Sequence, residues 1–487
     1  MSEPKKVGRR TFLNYAITAV ATGVIVGTAT YLATPKGGVG TVTAPGATTT
    51  VTAPGATTTV TAPGATTTVT APGAGMKEIT VAALAGGLTD MSTEIAKYYM
   101  NLNPGVKINV EGFPEATMNA ETIARLPTAP PPDILYNSTL PSMNEKIVKP
   151  GYALCVDEYY EKYGWDKVNP TAERFKVDEH YYWIPFGYIY YGNIYYNKTM
   201  FEEKGFEVPK TMDELYKICD TLKKQDILPM VLGYQSQPEW FFNHFSVWVM
   251  NAMTPDEFKD LWTYYGPKLK TEEFKNRPIK LTDDIIVNQL KLVAEWRDKV
   301  FAPGLTSMTS ENAVSLFASG KAAMLTWGCW IGYVWEASGK EEKFKLGWFP
   351  ILAPTPRGAL RPGRTQRMCL YALPFFIVKK TKYPDLCADF LNTFMTNPYV
   401  QSTFIVNKMG WLPGVPLAEA LIENSHVASV IKAYATQFDY DYSLAAALAA
   451  ELHDPFQAEL GAILSGSSTP EESAKRLEEQ AKRISGI

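Results

Sequence analysis

From Lys77 to the C terminus the sequence predicts an α/β fold, on three observations. Strand-like and helix-like segments alternate with short breaks from residue 77 onward. An aromatic stretch, residues 181–198, bends at glycine and runs straight into a short helix. The chain has 487 residues and is 46% hydrophobic, enough for two or three globular domains. Its formal net charge of −3 offers no basic field for nucleic acid.

The segment before this body reads differently. In residues 1–35, Lys5, Lys6, Arg9 and Arg10 precede the uncharged run Ala16–Leu32, the order of an export signal or membrane anchor. Arg9-Arg10-Thr11-Phe12-Leu13 resembles a twin-arginine export signal. The run is at the lower length limit for spanning a bilayer, so cleaved signal and retained anchor both stand. Residues 42–68 are three identical copies of Val-Thr-Ala-Pro-Gly-Ala-Thr-Thr-Thr. With almost no large apolar side chain and a Pro-Gly in each copy, residues 36–76 are expected to be a linker without regular structure. About 40 such residues, extended, reach on the order of 120 Å. A spacer of that length favours the retained anchor.

In the body, Glu78–Leu84 reads as a strand, Gly86-Gly87 as a turn, and Thr89 as the start of a helix towards Asn103. Val106–Val110 is a second strand, residues 115–125 a helix, and Ile134-Leu135-Tyr136 a short buried strand ending in Asn137-Ser138. This alternation predicts a mainly parallel sheet with helices on both faces. Ligands bind at the carboxyl ends of such strands, which places Gly87 and Asn137 among candidate site residues. Asn137 also opens an Asn-Ser-Thr sequon, as Asn197 opens Asn-Lys-Thr. A glycan and a buried or ligand-facing Asn137 are competing readings.

The stretch 181–198 holds seven tyrosines and one tryptophan. Ile189–Tyr196 is β-branched and aromatic except at Gly192 and Asn193, an extended strand with a bend. It is either a tyrosine-rich core strand or a crossover between two lobes. Thr211 and Glu214 are spaced as a capping box, Pro229–Leu232 is strand-like, and Pro238 opens a helix expected to expose Trp240 at its start. Thr282–Val300 is an amphipathic helix. Ala322–Thr326 is a strand whose end presents Gly328 and Trp330. Gly320-Lys321 lacks the spacing of a phosphate-binding loop. Five widely spaced cysteines and four scattered histidines show no paired metal-ligand spacing and fix no disulfide. No cofactor motif is visible.

Trp183-Ile184-Pro185-Phe186-Gly187 followed by Tyr195-Tyr196-Asn197-Lys198 resembles the lobe crossover of family 1 extracellular solute-binding proteins, the sugar receptors of ABC importers. Phe317–Met324 with Gly328 and Trp330 resembles the second motif of that family. Gly347–Pro350, Phe376–Lys380, Gly410-Trp411-Leu412-Pro413 and the helix start Ser468–Glu472 follow in the same order, so the resemblance covers residues 77–487. It implies a two-lobed α/β binding-protein fold of type II, closing on a ligand in its cleft. The lobes are expected at 77–190 with 367–410, and at 191–366 with 411–487. Trp330 matches the aromatic that stacks on a sugar ring. Tyr188 and Tyr190 flank the first crossover, and Tyr440 and Tyr442 lie where a late cleft aromatic occurs. Trp240 is added on chemistry alone. The stalked N terminus is similar to archaeal surface anchors, and the missing lipid-anchor cysteine departs from the bacterial pattern.

The resemblance implies a sugar or oligosaccharide ligand, ABC permease subunits as partners, and a location on the outer face of the membrane. A pyranose offers apolar faces to aromatic rings and hydroxyl edges to polar groups. Peptide or polyol ligands remain alternatives within this class. From another class, a tethered carbohydrate-active enzyme needs two opposed carboxylates. Carboxylates are plentiful here, whereas a GxSxG elbow and metal clusters are missing from the sequence.

Overall fold

The computed structural model describes the backbone of residues 40–44, 47–51, 58–62 and 65–69, and residues 76–486 apart from 115–116, 128–129, 138–142, 170–175, 332–334, 336–342, 359, 419–420 and 423–424. For 425–427, 442 and 450 only the backbone is described. The signal or anchor expected over 1–35 lies outside these residues. Among the described residues, no helix is long and apolar enough to cross a membrane.

Two compact units emerge: residues up to Val81 with Leu88–Glu111, and Ala82–Gly87 with Gly112 onward. In the first, the repeat segment expected to be an unstructured linker pairs its backbone as an antiparallel meander. Its strands are β1 (Gly40–Ala44), β2 (Ala47–Val51), β3 (Thr58–Ala62) and β4 (Ala65–Val69). The threonines and valines of each copy are β-branched and suit extended pairing. After β5 (Lys77–Leu84), the helix Gly87–Leu102 buries Leu88, Met91, Ile95 and Tyr99, the three-to-four-residue spacing of one helix face. It is followed by β6 (Val106–Phe113).

The second unit holds two main sheets. The remaining strands, in chain order, are β7 (Ile134–Tyr136), β8 (Lys176–Val177), β9 (His180–Tyr181), β10 (Ile184–Tyr191), β11 (Asn193–Asn197), β12 (Leu228–Val231), β13 (Ala322–Thr326), β14 (Leu346–Pro350), β15 (Gln366–Ile377), β16 (Leu412–Pro413) and β17 (Phe438–Tyr442). The larger sheet runs β16-β10-β15-β7 and continues through the C-terminal residues of β5 and β6, with β17 also on β15. The smaller runs β12-β13-β11-β14.

The parallel arrangement expected from the alternation over residues 77–138 does not extend to the strands of the crossover, most of whose described pairings are antiparallel. β10 is antiparallel to β15 and β16, β15 to β7, and β11 to both β13 and β14. β12 with β13 and β15 with β17 are parallel, and the hydrogen bonds from Lys77 N to the Gly105 carbonyl and from Ala85 N to the Phe113 carbonyl run β5 and β6 in the same direction. The cause is the crossover chain. Strand–helix–strand units give parallel neighbours, but β10–β11 leaves one sheet for the other and β14–β15 comes back beside it in the opposite direction.

Gly192 makes the first passage possible. Its φ is +102°, and a Cβ there would lie 2.8 Å from Met368 Cε and 2.9 Å from Val247 Cγ2. Its carbonyl accepts a hydrogen bond from Ile351 N at 2.6 Å, tying the outgoing strand to the returning one. We expect Gly192→Ala to cost about 2 kcal/mol, from the left-handed backbone and the crowding together. A denaturant midpoint equal to that of the parent would refute this.

Candidate ligand site

The site is built where β10–β11, the end of β13 and the helix Pro238–Ala252 meet. That helix is buried all round from Trp240 to Ala252: most of its residues are apolar, and Asn243, His244, Ser246 and Asn251 find hydrogen-bond partners inside the protein. His244 lies between this helix and the crossover. Its Nδ1 lies 2.6 Å from the Trp240 carbonyl and its Nε2 3.4 Å from the Asn193 carbonyl. Burial lowers the His244 pKa, so the ring is neutral and donates from Nδ1.

Trp330 follows β13 in a turn and is half-buried. Its ring meets Trp240 edge to face at 5.2 Å and Tyr191 at 5.7 Å. Trp327 lies behind, 4.4 Å from Trp240. Gly328 is required by this arrangement: a Cβ there would fall 1.9 Å from Trp330 Cζ3. Gly410, with φ +68°, brings a turn from the larger sheet's side against the same place, since its Cβ would lie 3.0 Å from the Cys329 carbonyl. Gly87 faces that turn in the same way, 2.9 Å from Met409 Cε.

Tyr191 continues the aromatic wall to Tyr371 of β15 at 6.5 Å and to His244 at 6.0 Å. The Tyr371 hydroxyl lies 3.4 Å from Glu239 Oε1 and donates to it. Burial raises the Glu239 pKa; the nearby His453 and the tyrosine hydrogen bond act in the other direction. The wall thus carries one carboxyl group at its polar end.

The structure therefore brings together Trp330, Trp240 and Gly87 of the expected site residues. Trp240 is not exposed at its helix start but only 8% accessible, because its ring fills the space between Trp327 and Trp330. Tyr190 points to the opposite face of β10, is fully buried, and packs on Tyr434 at 4.3 Å. Tyr188 shares that face and donates to the buried Asn169 side chain. Asn137 is buried at the end of β7, its amide donating to Asn119 Oδ1 at 3.1 Å and Thr122 Oγ1 at 3.4 Å. Tyr440 lies on β17, where the Arg361 guanidinium sits 5.9 Å above its ring. The Tyr442 backbone pairs with Leu370, and its side chain lies outside the described residues. Sequence reasoning missed Tyr191, Tyr371, Glu239 and His244. Of these, Tyr191 carried a signal: it immediately precedes the bend at Gly192.

Comparison with known proteins bears on this architecture. An uncharacterized ABC transporter extracellular-binding protein of Pyrococcus horikoshii is 24% identical over 277 residues, 55% of this chain. The match spans 59% of that relative's length. A receptor of Streptomyces glaucescens solved with acarbose superposes with a TM-score of 0.65 at 18% identity, covering 84% of this chain and 98% of that one. A substrate-binding protein of Listeria monocytogenes in complex with cycloalternan gives 0.64 at 18%, covering 84% and 99%. A solute-binding protein in complex with raffinose gives 0.66 at 21%, covering 84% and 99%. At these identities the likeness is one of fold, the two-lobed α/β architecture. Residues 68–401 match the family of bacterial extracellular solute-binding proteins, and the chain belongs to that family.

Proposed function

We propose that this chain is a binding receptor that captures a sugar or oligosaccharide beside Trp330 and hands it to the permease of an ABC transporter. The observation that carries this reading is the half-buried Trp330 ring, held edge-on by Tyr191 and Trp240 where the chain crosses between two sheets. A flat aromatic face with polar groups at its margin suits the apolar face and hydroxyl edge of a pyranose. Trp327 Nε1, behind Trp240, is a buried donor without a hydrogen-bond partner among the described residues. The similar proteins solved with acarbose, cycloalternan and raffinose support the same ligand class. The lobes would meet at Gly192 and between β14 and β15, and ligand would shift their open–closed equilibrium with no bond broken. Residues 1–35 would export the chain or anchor it outside the membrane.

Thermal melting of the protein against mono- and oligosaccharides tests this. A cognate sugar at 100 times its dissociation constant should add about 2.7 kcal/mol of stability and be recovered unchanged. Stabilisation by peptides or polyols alone would replace the ligand class. Recovery of a cleaved sugar would replace the receptor by an enzyme.

A further inference from the structure

We propose that Cys155, Asp157 and His180 form a binding site for a borderline divalent cation of the Zn2+ type. The three residues are far from paired spacing in sequence, which is why no metal signature was visible there. In the fold, Cys155 Sγ, an Asp157 carboxylate oxygen and a His180 ring nitrogen all lie within 4.8 Å of one another. Thiolate, imidazole and carboxylate together suit Zn2+ and its neighbours rather than Mg2+ or Ca2+, which take oxygen ligands.

The ligands are held before any ion arrives. Residues 155–157 lead into the helix Asp157–Tyr163, and His180 opens β9, which pairs with β8. The β8–β9 turn places Asp178 at φ 49° and Glu179 at φ 68°, the two left-handed positions of a tight hairpin. Val156 N donates to the Tyr181 carbonyl at 2.8 Å, and Tyr181 N to Asp157 Oδ1 at 2.7 Å. Tyr181 stacks on Tyr160 with ring centroids 3.8 Å apart. These contacts fix His180 Nδ1 at 2.6 Å from Asp157 Oδ2.

Cys155 and His180 are exposed, so an ion can reach them. A free thiol ordinarily carries its proton at neutral pH, whereas the metal ligand is the thiolate. Binding as thiolate therefore releases one proton from sulfur to solvent, and the imidazole ligates through its unprotonated ring nitrogen. Three protein ligands leave a fourth tetrahedral position for water. The ion would staple the β8–β9 hairpin to the start of the helix.

Cobalt(II) titration of the chelator-treated full chain reads this directly. A thiolate-to-cobalt charge-transfer absorption should saturate at one equivalent and disappear when Zn2+ is added. The other cysteines, Cys219, Cys329, Cys369 and Cys387, are buried, so the band reports Cys155. Cys155→Ser should abolish it, and His180→Gln should weaken Zn2+ binding more than about tenfold, with circular dichroism unchanged. No band in the parent chain, or undiminished binding in either variant, would overturn the proposal.

Discussion

Arg277→Met is expected to destabilise the folded chain by about 3–5 kcal/mol, a large share of the ~5–15 kcal/mol typical of a folded domain. The Arg277 and Glu478 side chains form an ion pair and are only 7% and 4% exposed. Glu478 also accepts from the Tyr265 hydroxyl at 2.6 Å and from Leu281 N at 2.9 Å, both on Oε2. Arg277 Nε donates to the same tyrosine oxygen at 3.1 Å, and its guanidinium lies 4.2 Å from the Phe274 ring. Glu478 projects from the helix Pro470–Ser485, so this cluster ties that helix to residues 265–281. Removing only the arginine leaves a buried carboxylate without its counter-charge. Replacing both, as Arg277→Met with Glu478→Leu, should recover much of the loss, because no charge then remains unpaired.

The same cluster sets a pH dependence. Burial resists the Glu478 charge, but hydrogen bonds from Tyr265, Arg277 and Leu281 N more than offset it and lower the pKa. A depressed carboxylate pKa stabilises the fold above the unfolded value of about 4.3, and that share is lost as pH falls through the folded value. Denaturant titrations of the parent and the single and double variants at neutral and acid pH measure both effects. A single-variant loss under about 1 kcal/mol would show the pair to be solvated.

Local chemistry made much of the fold legible. The Thr211–Glu214 capping box forms as its spacing predicts, and Gly205 ends its helix with φ +68°. Ala322–Thr326 is the expected strand, and Gly192 is the expected bend. What failed was information held by distant partners. β10 alternates faces, so Tyr188 and Tyr190 share one and Tyr191 takes the other; only β15, pairing Ile189 with Tyr371, reveals which face carries the aromatic wall. Trp240 sits near a helix start, but that helix is mostly apolar and is enclosed by its neighbours. Asn137 is polar at a strand end, yet Asn119 and Thr122 satisfy it internally. The antiparallel pairings of β10 and β7 depend on the return strand β15, far along the chain from both.

The sharpest test of the site joins two substitutions. If a sugar lies against Trp330, Trp330→Ala should weaken its binding by about 30-fold or more, the ~2 kcal/mol of a buried aromatic anchor. Alone, that loss would not separate direct stacking from a collapsed wall, since Trp330 also supports Trp240 and Tyr191. Gly328→Ala asks instead whether the position of the ring, and not only its presence, is needed. Its Cβ would intrude to 1.9 Å from Cζ3 and 2.2 Å from Cη2 of the indole, so the ring must leave its place while every aromatic atom stays in the chain. The ring is half-buried and can swing outward, uncovering part of Trp240 and Tyr191, so the melting temperature should fall as well. Binding should fall nearly as far as in Trp330→Ala, whereas Trp330→Phe keeps a flat face and should retain part of it. Calorimetry with the sugar that gives the largest melting shift measures all three. Parent-like binding by Gly328→Ala would mean that recognition does not depend on this ring position, and would move the site to the Glu239–Tyr371 end of the wall.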